Sequence, residues 1–74
     1  MESTATSKRV RRVAADLGVV TREGSLKQLD SLGIIDMVSR LERTFSIRIP
    51  PEAITSERFA SINSIAALVE ELSA

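Results

Sequence analysis

Apolar residues recur at helical spacing in the first part of the chain, between Ser7 and Leu17. Intervals of three and four residues place side chains on one face of a helix, which here carries Val10, Val13, Ala14 and Leu17. Gly18 follows this segment, and glycine commonly occupies the position after a helix end. The pattern predicts a first helix from Ser7 to Leu17, preceded by a flexible N-terminus over residues 1–6.

A second helix is predicted to begin at Asp30 or Ser31, whose short polar side chains can cap free backbone amides. Its predicted buried stripe consists of Leu32, Ile35, Val38, Leu41 and Phe45. Pro50 ends the helical region, because proline disfavours helical geometry in the residue before it. This is the clearest helix in the sequence.

The C-terminal part predicts a short helical turn and a last helix. Pro51 suits the first position of a helix, and Ile54 and Phe59 are predicted inward anchors of this brief segment. The last helix is expected after Ser61, with a buried face formed by Ile62, Ile65, Ala66, Val69 and Leu72.

Residues 19–30 lose the helical period but keep isolated apolar side chains, namely Val19, Val20, Leu26 and Leu29. Long loops are uncommon in compact domains unless they serve a function or cover the core. The sequence therefore predicts an all-α fold: a small bundle of three main helices plus one short helix, with a long anchored loop between helices one and two. Residues 7–74 form the single predicted domain.

Composition narrows the possible functions. The chain of 74 residues contains no cysteine and no histidine, which excludes disulfides, thiolate nucleophiles, imidazole bases and nearly all zinc sites. The spacing places no pair of carboxylates or lysines in a recognisable apolar pocket. We therefore expect neither an enzyme nor a metal site.

Ten basic and ten acidic residues cancel, so no net field favours nucleic acid or an anionic membrane. The basic cluster of Lys8, Arg9, Arg11 and Arg12 is interpreted as a solvated helix face. No apolar run is long enough for a transmembrane helix, and the N-terminus lacks the apolar stretch of a secretory signal. These features predict a cytoplasmic monomer that binds neither nucleic acid nor membrane.

The stretch Asp30, Ser31, Leu32 lies where the long loop meets the second helix. Free amides and the positive end of the helix dipole stabilise an anion there, so a phosphodiester on Ser31 would lie in a favourable field. The alternative interpretation is that Asp30 and Ser31 only cap the helix, as these residue types commonly do.

From Leu26 to Leu72 the chain resembles the acyl and peptidyl carrier family. The resemblance is carried by Asp30, Ser31, Leu32, Ile35, Asp36, Val38, Leu41, Glu42, Phe45, Ile47, Ile49 and Pro50. It implies that Ser31 receives 4′-phosphopantetheine from coenzyme A through a phosphopantetheinyl transferase. It also implies that Asp30 helps to place Ser31 before the transferase and its magnesium ion.

The second helix carries balanced charges, Asp36 and Glu42 against Arg40 and Arg43, whereas carriers of fatty-acid synthesis resemble one another in an acidic second helix. This balance predicts weak steering of partners and a weak dependence of association on salt. Ile34 is expected to fall outside the buried stripe, beside Ser31. The predicted partner-binding residues are Leu32, Gly33, Ile34, Met37 and Arg40.

The resemblance implies a discrete carrier that tethers acyl or aminoacyl groups as thioesters and presents them to separate enzymes. Its partners would be a ligase or synthase that loads the arm, and downstream acyl-transfer enzymes. The span from Pro50 to Ser61 resembles the longer spacer of aminoacyl carriers, including the D-alanyl carrier type, which leans the cargo toward amino acids. The alternatives are a helical protein-interaction module without a prosthetic group, and a small nucleic-acid binder.

Overall fold

A computed structural model describes residues 4–22, 26–27 and 29–73. They form three α-helices, α1 (Thr4–Asp16), α2 (Ser31–Phe45) and α3 (Ile62–Ser73), and a short 3₁₀ helix at Pro51–Ala53. Within these ranges there is no β-strand, only an isolated antiparallel bridge between Val20 and Leu26. The predicted all-α class, with three main helices, one short helix and a long first loop, is confirmed.

Helix α1 begins at Thr4, three residues before the predicted start. The hydrophobic pattern cannot detect this extra turn, because Thr4 to Thr6 contain no large apolar side chain. The helix ends at Asp16, and Gly18 shortly after it has a φ of +74°, which is costly for other residues. The Gly18 amide donates to the Ala15 carbonyl and the Val19 amide to the Ala14 carbonyl, both at 3.0 Å. This pair of bonds is a Schellman motif, and it turns the chain back toward the core.

The loop between α1 and α2 is anchored as predicted. The Lys27 amide donates to the Val19 carbonyl at 2.7 Å, next to the bridge between Val20 and Leu26. The predicted anchors are partly buried against the core: Val19, Val20, Leu26 and Leu29. Residues 23–25 and 28 of this loop lie outside the described ranges.

The buried side of helix α2 overlaps only in part with the predicted stripe. Met37 and Leu41 are fully buried, whereas Leu32 and Ile35 are 73% and 62% exposed. The burial predicted for Leu32 and Ile35 is therefore wrong, although Val38, Leu41 and Phe45 do face inward. The helix carries two overlapping apolar stripes, and both include these inward residues. One stripe adds Leu32 and Ile35, and the other adds Ile34 and Met37. Periodicity alone does not tell which of the two packs against α1 and α3.

The predicted C-terminal elements are confirmed. Pro51 opens the 3₁₀ helix, Ile54 is partly buried and Phe59 is buried. The Ser64 amide donates to the Ser61 hydroxyl at 3.0 Å, which caps the start of α3. The buried face of α3 comprises Ile62, Ile65, Ala66, Leu68 and Val69. Leu72, predicted on this face, is only partly buried against the core, and Leu68 is a buried residue that was not predicted there. These side chains meet Val10, Val13 and Ala14 of α1 in one core.

Candidate functional site

Ser31 is the first residue of α2, and its side chain is exposed. Asp30 before it has extended backbone angles, φ −89° and ψ −175°, and occupies the N-cap position. Its Oδ1 accepts a hydrogen bond from the Gly33 amide at 2.7 Å, while its carbonyl accepts from the Ile34 amide at 2.9 Å. The cap predicted at Asp30 or Ser31 is thus made by Asp30.

The Ser31 hydroxyl is not used to cap the helix. It makes no hydrogen bond with any residue in the part of the chain that the structure describes. Capping therefore accounts for Asp30 and leaves Ser31 unexplained, which weighs against the interpretation that both residues are merely structural. An exposed hydroxyl without an internal partner is accessible to an enzyme that modifies it.

The helix start also suits an anion bonded to the Ser31 oxygen. The amides of Ser31 and Leu32 have no carbonyl one turn earlier within the helix, so they remain available as donors. These donors and the helix dipole favour a negative charge at this position. A phosphodiester on Ser31 therefore fits the residues present, because Asp30 occupies only the third amide of the turn.

Gly33, predicted to bind partners, has a local structural role. A Cβ at this position would lie 3.2 Å from Oδ1 of Asp30 and 3.4 Å from Cδ2 of Leu29. The separation from Oδ1 is tighter than ordinary van der Waals contact, so a larger side chain would press on the capping carboxylate. The glycine leaves room for the cap directly beside Ser31.

The apolar surface next to Ser31 is formed by Leu32 and Ile35, which are the large hydrophobic side chains with high exposure in the described part of the chain. Met37 was predicted on this surface, and that prediction is wrong because its side chain has no exposed area. Ile34 is half-buried. Of the remaining predicted partner-binding residues, Leu32 and Arg40 are exposed.

Sequence reasoning missed Ile35 as a surface residue. The information was present in the chain, since Ile34 and Met37 offer an alternative inward stripe with Leu41. What decides between the stripes is the position of α1 and α3 around α2. That position depends on contacts between residues far apart in sequence, which a helical period does not record.

A cleft of about 330 Å³ opens one helical turn from Ser31. Its lining is mainly apolar, with two polar side chains, and includes Leu26, Leu29, Ile34, Phe59, Lys27 and Ser56. The first loop and the segment before α3 form its two walls. The cleft is large enough for a small apolar group held near the start of α2.

In the described ranges no cluster of three or more acidic side chains is placed to hold a metal ion. None of the helices there is long and apolar enough to cross a bilayer. The candidate site consists of the Ser31 hydroxyl, the helix start capped by Asp30, the exposed pair Leu32 and Ile35, and the adjoining cleft.

A family model described as "Phosphopantetheine attachment site" matches residues 10–72 of the chain. The match includes all of α2, with Asp30 and Ser31 at its start, and nearly all of α3. The comparison with curated proteins and the comparison with solved structures each found no match.

Proposed function

We propose, because the chain belongs to the phosphopantetheine attachment site family, that Ser31 is the attachment residue of a discrete carrier protein. Members of this family bind 4′-phosphopantetheine covalently. The observation that carries the assignment is the free, exposed Ser31 hydroxyl beside a helix start that Asp30 already caps.

The arm, when attached, supplies a terminal thiol on which an acyl or aminoacyl group is held as a thioester. The residues of the chain present this arm rather than react with the cargo. The first amides of α2 stabilise the phosphodiester charge, and Asp30 helps to place Ser31 before the modifying transferase. Leu32, Ile35 and Arg40 offer exposed contacts on the same helix to enzymes that approach Ser31.

The proposed partners are a phosphopantetheinyl transferase, a ligase or synthase that loads the arm, and downstream acyl-transfer enzymes, all meeting a monomeric carrier in the cytoplasm. The proposed cargo leans toward amino acids. The length of the span from Pro50 to Ser61 supports this, because it resembles the longer spacer of aminoacyl carriers. The modest cleft next to α2 is compatible with a small side chain.

Mass spectrometry after incubation with coenzyme A, magnesium and a broad-specificity phosphopantetheinyl transferase tests the attachment. We expect the wild-type mass to increase by one phosphopantetheine group. Ser31→Ala should abolish the increase, and Ser39→Ala, which changes another exposed serine of the same helix, should retain it. Circular dichroism should show similar helical content for all three proteins.

A wild-type chain that keeps its original mass under active transferase would contradict the proposed function. A Ser31→Ala chain that still gains the group would show that a different serine is the attachment residue. In the first case the interaction module without a prosthetic group becomes the better interpretation.

A further inference from the structure

Gly33 acts on the Asp30 carboxylate in two ways. Its amide donates to Oδ1 of Asp30 at 2.7 Å, which is the hydrogen bond that caps α2. Its lack of a side chain leaves open the space in which a Cβ would lie 3.2 Å from that same oxygen. One residue, two positions after Ser31, therefore determines where Oδ1 lies from two directions.

The other carboxylate oxygen of Asp30 is available to a partner. In the part of the chain that the structure describes, the cap is the one hydrogen bond of the Asp30 side chain, and this side chain forms no ion pair there. The residue is also exposed. Because the carboxylate group is planar, holding Oδ1 in place restricts the directions in which Oδ2 can accept a donor or face a cation beside Ser31.

The surroundings of Gly33 decide which neighbour would yield to a side chain at this position. Besides Oδ1 of Asp30, the nearest atoms are Cδ2 and Cβ of Leu29, at 3.4 and 3.6 Å. Leu29 is partly buried against the core and is held by packing, whereas Asp30 is exposed. A Cβ at position 33 would therefore displace the carboxylate, by a few tenths of an ångström, rather than the leucine.

We propose that Gly33 is a positioning residue for attachment of the arm; this rests on the proposed function, in which Asp30 places Ser31 before the transferase. In that reaction the Ser31 oxygen bonds to the phosphorus next to the pantetheine group of coenzyme A. The phosphoanhydride bond breaks, adenosine bisphosphate leaves, and the hydroxyl proton passes to a base of the transferase. Gly33 acts on this step through the Asp30 carboxylate and not through a contact of its own with coenzyme A.

A small displacement of a positioning group has a measurable effect on rate. A misplacement of about 1 Å can slow a reaction roughly 100-fold, because the reacting atoms leave the geometry from which they react. The shift expected from a Cβ at position 33 is smaller, so the expected loss is smaller too, about fivefold or more. The loss should fall on kcat, since the exposed pair Leu32 and Ile35 beside the site is unchanged.

Steady-state kinetics of arm attachment, with the full chain as the varied substrate, test the proposal. Coenzyme A and magnesium are saturating, and a broad-specificity phosphopantetheinyl transferase forms the product, which is quantified by mass spectrometry. Gly33→Ala should lower kcat about fivefold or more and keep KM within about twofold of wild type. Ser39→Ala, which also places an alanine in α2, should leave both constants within about twofold. Circular dichroism should show full helical content for Gly33→Ala, because alanine favours a helix more than glycine does.

The double variant Asp30→Ala with Gly33→Ala separates positioning from a direct contact with the transferase. Without the Asp30 side chain, a Cβ at position 33 has no carboxylate to displace. Asp30→Ala alone should be slow, and adding Gly33→Ala to it should change kcat by less than about twofold. A methyl group that struck the transferase would instead raise KM equally with and without the Asp30 side chain.

The proposal is overturned if Gly33→Ala keeps the wild-type kcat, if its loss lies in KM alone, or if the loss is equally large in the Asp30→Ala background. A wild-type rate for Asp30→Ala overturns it as well. A wild-type chain that gains no arm refutes the proposed function and this inference together. A wild-type chain that gains the arm, with any of the other contrary results, refutes only the role of Gly33.

Discussion

At the scale of single residues, either Asp30 or Ser31 could cap α2 according to the sequence alone. Both residue types are good N-caps, and both stand at the junction of loop and helix. The structure gives the cap to Asp30, through its 2.7 Å hydrogen bond from the Gly33 amide. Ser31 thereby keeps a free hydroxyl, which is what a covalent attachment point requires.

Substitutions of Asp30 separate its capping role from its charge. Asp30→Ala should lower the free energy of unfolding by about 1 kcal/mol, because the Gly33 amide loses its acceptor. Asp30→Asn should stay within a few tenths of a kcal/mol of wild type, since asparagine caps almost equally well. Urea unfolding followed by circular dichroism measures both.

The same two variants report on the proposed role of the carboxylate toward the transferase. If the charge places Ser31 for modification, Asp30→Asn should be modified more slowly than wild type despite its intact stability. Initial rates of arm attachment, followed by mass spectrometry, decide this. A wild-type rate for Asp30→Asn would limit Asp30 to capping.

At the scale of elements, α2 combines a well-formed start with a strained end. Ser46 follows the helix with φ 55° and ψ 48°, a left-handed conformation that glycine adopts at lower cost. The Ser46 amide donates to the Glu42 carbonyl. The Glu42 carboxylate in turn accepts from the Ile49 amide at 2.9 Å, so this side chain ties the segment after α2 back to the helix.

Two serine-to-glycine changes in this region should have opposite effects. Ser46→Gly should raise the free energy of unfolding by about 0.5 to 1 kcal/mol, because glycine relieves the left-handed strain. Ser39→Gly, on the exposed face inside α2, should lower it by about 0.5 kcal/mol through reduced helix propensity. Thermal unfolding of the two variants provides the comparison, and two losses of equal size would show that Ser46 carries no strain.

At the scale of the whole molecule, the limits of sequence-based prediction follow from which contacts are local. The helices, the anchored loop and the cap were predictable, because period, glycine, proline and short polar residues act within a few positions. The inward face of α2 and the contact between Arg9 and Thr44 were not. Arg9 and Thr44 are 35 residues apart, and only the packing of α1 on α2 brings them together.

The packing of three helices around one core also determines how α2 tolerates mutation. Met37 is fully buried, and Ile35 two positions earlier is 62% exposed. Met37→Ala should cost about 2 to 5 kcal/mol, because it removes buried apolar volume from the core. A domain of this size has roughly 4 to 11 kcal/mol of total stability, so the change should unfold an appreciable fraction of the protein at physiological temperature.

Ile35→Ala is the matched comparison, and we expect a loss below about 0.5 kcal/mol because its side chain is mostly in water. Chemical unfolding of both variants measures the difference directly. If the stripe predicted from the sequence were the buried one, Ile35→Ala would be more destabilising than Met37→Ala. If the exposed pair contacts partners, Ile35→Ala should also slow loading of the arm while leaving the fold intact, since stability and partner binding are carried by opposite faces of the same helix.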